Sequence, residues 1–81
     1  MKVTVRLFSL AKDMAGFDER EFEINHPGVA ADVLPYLIRE NERFRDWKNS
    51  LRLAVNCEYV SGDHPLKEGD EVAVIPPVSG G

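Results

Sequence analysis

The stretch VAADVLPYLIREN, residues 29–41, breaks the rhythm of the chain around it. Ala30, Val33, Leu34, Leu37 and Ile38 recur at helical spacing and form one apolar stripe. Pro35 falls inside that stripe, where a proline removes a hydrogen bond and crowds the preceding turn. With Asp32 as N-cap, Pro35 lies in the first turn, where its missing N–H costs little. The alternative is a helix that starts near Val29 and kinks. The pattern predicts a helix over residues 30–42 with an irregular first turn. Phe44 and Trp47, three residues apart, predict a further turn covering one end of the core.

Outward from this helix the apolar residues alternate instead. KVTVRLF (2–8) places Val3, Val5 and Leu7 on one face and Thr4, Arg6 and Phe8 on the other, as in a half-buried strand. SLAKDMAG (9–16) reads as a short helical turn, with Ser9 as N-cap and Gly16 as stop. EREFEI (19–24) alternates with Phe22 and Ile24 inward, and its outward charges suit an edge strand. Beyond the helix, Leu51, Leu53 and Val55 share a phase in LRLAVN, and a tight turn at Asn56-Cys57 leads to the short strand EYV. SGDHPLKEGD (61–70) is a run of turn residues in which Gly69 suits a backbone angle other residues avoid. EVAVI (71–75) is the last strand, with Val72 and Val74 in phase. One helix across one face of a mixed sheet gives a single core. The expected fold class is α+β, a ubiquitin-like β-grasp of about five strands in which the first and last are parallel central neighbours.

Eighty-one residues make one small domain, 43% hydrophobic and 30% charged, as in ordinary soluble globular proteins. No apolar run is long enough to span a bilayer and no basic-then-apolar leader opens the chain, so the cytoplasm is the expected compartment. The single cysteine, Cys57, excludes an internal disulfide and any cluster of several thiolates. Net charge is −4, and all of that excess lies beyond residue 57, where Glu58, Asp63, Glu68, Asp70 and Glu71 face Lys67 alone. This argues against nucleic acid or an anionic membrane as partner, because phosphate recognition needs a basic surface. A solvated acidic turn region explains it, and so does a partner with a basic receiving surface.

Side-chain chemistry is sparse. His26 and His64 sit in separate proline-containing turns without a second ligand at metal-binding spacing, so no metal site is expected. Asp63 before His64-Pro65 reads as an Asx-type turn rather than a catalytic dyad. Cys57 has no neighbouring base in the sequence and reads as a half-buried hairpin residue. The terminus VIPPVSGG (74–81) is different, because its reactive group would be the C-terminal carboxylate of Gly81. Pro76 and Pro77 cannot donate to a sheet ladder and hold Ile75 extended, so the last strand ends there. Gly80 and Gly81, lacking Cβ atoms, can extend fully into a narrow channel. Residues 1–75 therefore read as the domain, and Pro76, Pro77, Val78, Ser79, Gly80 and Gly81 as an extended tail. Phe8 and Ile75 are out of phase with their strands' inward residues, and with Tyr59 they predict an apolar docking face near the tail.

AVN (54–56), DHPL (63–66), EGDEVA (68–73) and PPVSGG (76–81) together resemble the MoaD family of sulfur carriers, the small subunits of molybdopterin synthase. The resemblance extends over essentially the whole chain and includes LAKDMAG (10–16). It implies that Gly81 is adenylated at the expense of ATP by an E1-like adenylating enzyme. A sulfur donor such as a cysteine desulfurase or rhodanese-type protein then converts it to a thiocarboxylate. It further implies insertion of the tail into the large catalytic subunit, within a heterotetramer, and sulfur transfer to precursor Z to form molybdopterin. On this reading the chain carries sulfur, binds no cofactor of its own and is not an enzyme alone. Phe8, Tyr59 and Ile75 fall on the family's docking positions. Two further readings stay open at this point. One is a carrier or ubiquitin-like modifier for another pathway, such as thiamine thiazole formation or tRNA thiolation. The other is a binding module with no covalent chemistry.

Overall fold

The alternating segments assemble into one five-stranded sheet, and the helical stripe lies across it. In the computed structural model, which describes residues 1–47 and 50–76, the elements are β1 (Lys2–Leu7), α1 (Ser9–Ala15), β2 (Glu19–Glu23), a 3-10 turn (Ala30–Val33), α2 (Leu34–Glu40), α3 (Phe44–Trp47), β3 (Arg52–Val55), β4 (Glu58–Val60) and β5 (Glu71–Ile75). The strand order is β2-β1-β5-β3-β4, with β1 and β5 parallel at the centre and every other pair antiparallel. The first and last strands are thus central neighbours, as the sequence predicts.

Register explains why the alternation works. Val5 pairs with Val72 and Leu7 with Val74 across β1 and β5, while Leu53 pairs with Val74 and Val55 with Val72 across β3 and β5. Side chains of one strand face alternate, so these pairings place all six on one side. Ala30, Val33, Leu37 and Phe44 close the same core from the helical layer, each fully buried. Leu34 and Ile38 flank the stripe and pack against it while partly exposed. β2 lies at the edge with its glutamates outward, as expected, and Phe22 alone is buried within it. Phe22 meets Phe17 edge-on at 6.1 Å and Tyr36 at 5.2 Å, and the Tyr36 hydroxyl donates to the Glu23 carbonyl at 2.8 Å. At the open side of this edge, Arg20 lies over the Phe17 ring and pairs with Glu40 of α2 at 2.7 Å.

Several local expectations are corrected. The helix of residues 30–42 does have an irregular first turn, the 3-10 turn, since Pro35 at the start of α2 cannot donate to the preceding turn, but it ends at Glu40 rather than residue 42. Asp32 is not the N-cap. It sits one turn inside, and its carboxylate accepts the Val29 N–H at 2.8 Å while its own N–H donates to the Val29 carbonyl at 2.9 Å. Ser9 is not a cap either: its φ of 52° is incompatible with the extended capping conformation, which Phe8 holds instead without a side-chain hydrogen bond. Gly16 does stop α1, at φ 83° with its N–H on the Lys12 carbonyl. Phe44 covers the core end as predicted, while the side chain of Trp47 lies outside the described residues.

Candidate functional site

β5 threads the middle of the sheet, so the chain beyond Ile75 leaves from the centre of the molecule rather than from a frayed edge. Pro76, the first residue of the sequence-predicted tail, is buried where β5 ends. Pro77, Val78, Ser79, Gly80 and Gly81, the rest of the sequence-predicted arm, lie outside the described residues.

The sheet face away from the helices is built by the residues out of phase with the core. Arg6 pairs with Ala73, Ala73 with Ala54, and Ala54 with Tyr59, forming one row across four strands. The next row pairs Ile75 with Arg52, and Phe8 continues β1 beyond Leu7, whose partner is Val74. Phe8 is 41% exposed, Tyr59 66% exposed and Ile75 half-buried. None of the three is part of the apolar core. The register therefore brings the three sequence-predicted docking residues to one end of one face, beside the start of the tail.

Two residues of this face escape a reading based on apolar phase alone. The Arg6 guanidinium lies 5.8 Å from the centre of the Phe8 ring, and that of Arg52 lies 5.6 Å from the Tyr59 ring. Their signal was present, since Arg6 shares the phase of Phe8 and Arg52 is out of phase with Leu51, Leu53 and Val55. In such pairs the ring quadrupole attracts the cation, by about 0.5–1 kcal/mol at exposed sites. Arg6 is further held by Glu19 and Glu71, each at 3.5 Å.

The acidic excess has largely local employment. Asp70 accepts the Lys67 N–H at 2.8 Å and the Asn56 amide at 3.0 Å, and Glu68 accepts the Lys2 N–H at 3.0 Å. The Asp63 carboxylate takes the Ser61 hydroxyl, and the His64 N–H reaches the Ser61 carbonyl at 3.1 Å. This loop is a hydrogen-bonded turn, and among the described residues Asp63 and His64 share no hydrogen bond. Nor do any three His, Cys, Asp or Glu side chains gather as metal ligands among the described residues. Cys57 is exposed rather than half-buried, because the β3–β4 turn carries it at its tip. Among the described residues, no helix is long and apolar enough to cross a membrane.

Comparison with known proteins agrees with this architecture. A molybdopterin synthase sulfur carrier subunit from Chlamydomonas reinhardtii is 35% identical over 83 residues, covering 100% of both chains. A solved structure from Pyrococcus furiosus, 34% identical, matches 96% of this chain and 99% of its own with a TM-score of 0.82. A complex of subunits 1 and 2 of the molybdopterin-converting factor from Helicobacter pylori matches at 28% identity and a TM-score of 0.67, over 100% of both chains. The mixed sheet is that of the ubiquitin-like β-grasp. Since the model of the ThiS family matches residues 5–81, nearly the whole length, the chain belongs to the ThiS family.

Proposed function

We propose that this protein is the sulfur carrier subunit of a molybdopterin synthase. The observation that carries the proposal is end-to-end similarity to a relative of that name, which spans the Gly-Gly terminus. The central position of β5 supports it as well, because a strand braced on both sides gives the arm a fixed origin. In the proposed cycle a Gly81 carboxylate oxygen attacks the α-phosphorus of ATP on an E1-like adenylating enzyme, releasing pyrophosphate. The terminal sulfur of a donor-protein persulfide then displaces AMP to form an acyl disulfide. A second thiol of the donor or activating protein cleaves its S–S bond, releasing the Gly81 thiocarboxylate and leaving a protein disulfide. The face of Phe8, Tyr59 and Ile75 docks on the large catalytic subunit, and the arm delivers sulfur to precursor Z. The reacting atom thus belongs to the main chain, and the domain acts as a handle.

The test is the intact mass after incubation with activating enzyme, ATP and sulfur donor. A gain equal to one oxygen-for-sulfur exchange is expected, and its absence from a chain lacking Gly81 places it at the terminus. An unchanged mass in the full chain, where a known carrier reacts, would refute carrier function. A second reading draws on the breadth of the ThiS family match: a carrier or modifier serving thiamine thiazole formation or tRNA thiolation. Conversion of precursor Z with the large subunit separates the two. A thiocarboxylate that forms but yields no product favours the second.

A further inference from the structure

The two arginines of the open face are not equivalent. Arg6 is neutralised within the domain by Glu19 and Glu71. Arg52 is exposed, and among the described residues no carboxylate lies within 4.0 Å of it. It lies opposite Ile75 in the β3–β5 register, and its guanidinium sits over the Tyr59 ring. An uncompensated cation therefore stands among the apolar side chains of the docking face. An interface that closed over this face would strip water from Arg52. A desolvated charge without a partner is strongly unfavourable, whereas one met by a carboxylate is compensated.

We propose that Arg52 is a specificity-determining contact, which receives a carboxylate of the large subunit beside Ile75 and Tyr59 on the docking face. The inference rests on the carrier reading above. A guanidinium offers several N–H donors in a fixed fork, which suits bidentate recognition of a carboxylate, and Tyr59 limits the orientations to be frozen out on binding. The same charge acts by exclusion: a partner presenting an apolar or basic group at this point leaves Arg52 buried and unpaired. Tail chemistry is common to all carriers of this kind, so discrimination must come from such features of the body.

The test is titration of the full-length chain and its Arg52→Lys, Arg52→Gln and Arg52→Glu variants against the large subunit, at low and physiological salt, with thermal melts of each. The expected loss of affinity is about tenfold for Arg52→Gln and about a hundredfold for Arg52→Glu, with Arg52→Lys weaker than wild type. Melting should change little, because the side chain is exposed. A lysine substitution of one large-subunit carboxylate that restores binding of Arg52→Glu would identify the partner group. Variants that bind like the wild type overturn the role of Arg52 alone. So would variants whose only defect is altered self-association in sedimentation, which would put a second copy of this chain on the face. A wild-type chain that does not bind the large subunit overturns the carrier reading itself.

Discussion

The β3–β4 turn offers a test in which backbone strain can be isolated from packing. Asn56 and Cys57 form a two-residue loop between the paired residues Val55 and Glu58, and both have positive φ, 50° and 74°. That is the signature of a type I′ turn, for which Asn-Gly is the preferred dipeptide. Asn56 is well placed, because its side chain donates to Asp70 and accepts the Glu71 N–H, each at 3.0 Å. Cys57 is exposed and has no such employment. A left-handed conformation costs a residue with a Cβ about 1–2 kcal/mol. Replacing Cys57 by glycine relieves that cost, while the freer unfolded chain takes back about 0.5–1 kcal/mol. The net gain for Cys57→Gly is about 0.5–1 kcal/mol, a rise in melting temperature of about 2–8 °C for a domain of this size. Cys57→Ala, which keeps the Cβ, should stay within about 0.5 kcal/mol of wild type. Thermal unfolding followed by circular dichroism measures both. A melting temperature for Cys57→Gly at or below the wild-type value would refute the reasoning, since it would mean that the thiol contributes contacts exceeding the strain. Thiocarboxylate formation by Cys57→Gly should be unaffected, because the proposed reaction uses Gly81.

Leu37→Ala removes a fully buried side chain from the centre of α2 and should destabilise by about 2–5 kcal/mol in chemical denaturation. Phe8→Asp should weaken binding to the large subunit without unfolding the domain. The side chain is 41% exposed, and aspartate suits the N-cap position that Phe8 occupies in α1. A collapse of the fold would instead make Phe8 a core residue. Glu23 lies below the ordinary carboxylate value of 4.5, chiefly because the Met1 ammonium donates to it at 2.7 Å and attracts its charge. A depressed folded value means that the contribution is present at neutral pH and is lost as pH falls below 4.5 through the folded value. Glu23→Gln should therefore narrow the difference in stability between pH 7 and acid, an effect kept small by the exposure of the pair.

What the sequence disclosed follows the reach of each interaction. Strand phase was legible because burial on one face forces a period of two, so Val3, Val5, Leu53, Val72 and Val74 declared the core before any pairing was known. The parallel contact of β1 with β5 joins chain segments far apart, and only the requirement that one helix cover one sheet pointed to it. Caps are poorly legible in sequence because they depend on a single residue's backbone dihedrals. Ser9 and Asp32 are good capping residues by type, yet Phe8 and Val29 hold the extended backbone. A half-buried Cys57 is what an apolar residue beside two strands predicts. The turn chemistry places it at an exposed tip instead. Phe8 and Ile75 stand out in the sequence by their wrong phase, whereas Arg6 and Arg52 read as ordinary outward charges. A charge on a sheet face gains meaning only when its neighbours across the strands are known.

The same topology explains why a carrier can be so small. On the proposed function the arm reaches into another protein's active site, and such an arm needs an origin that does not give way. A terminal strand at a sheet edge would be held on one side only and could peel. β5 is hydrogen-bonded to β1 on one side and β3 on the other, and Val72 and Val74 are fully buried beneath it. Pulling it out would expose the core and break two ladders together. On the proposed function the open face beside its last residue is the docking surface, so the strand that anchors the arm also carries Ile75, one of the proposed docking side chains. In the proposed cycle docking and delivery are then coupled through one segment, and the number of residues after Pro76 sets the reach from the docked face to the reacting carboxylate. Inserting a glycine between Val78 and Ser79 should leave folding and docking intact while impairing sulfur transfer to precursor Z. Normal transfer from the lengthened arm would show that reach is not fixed by the strand.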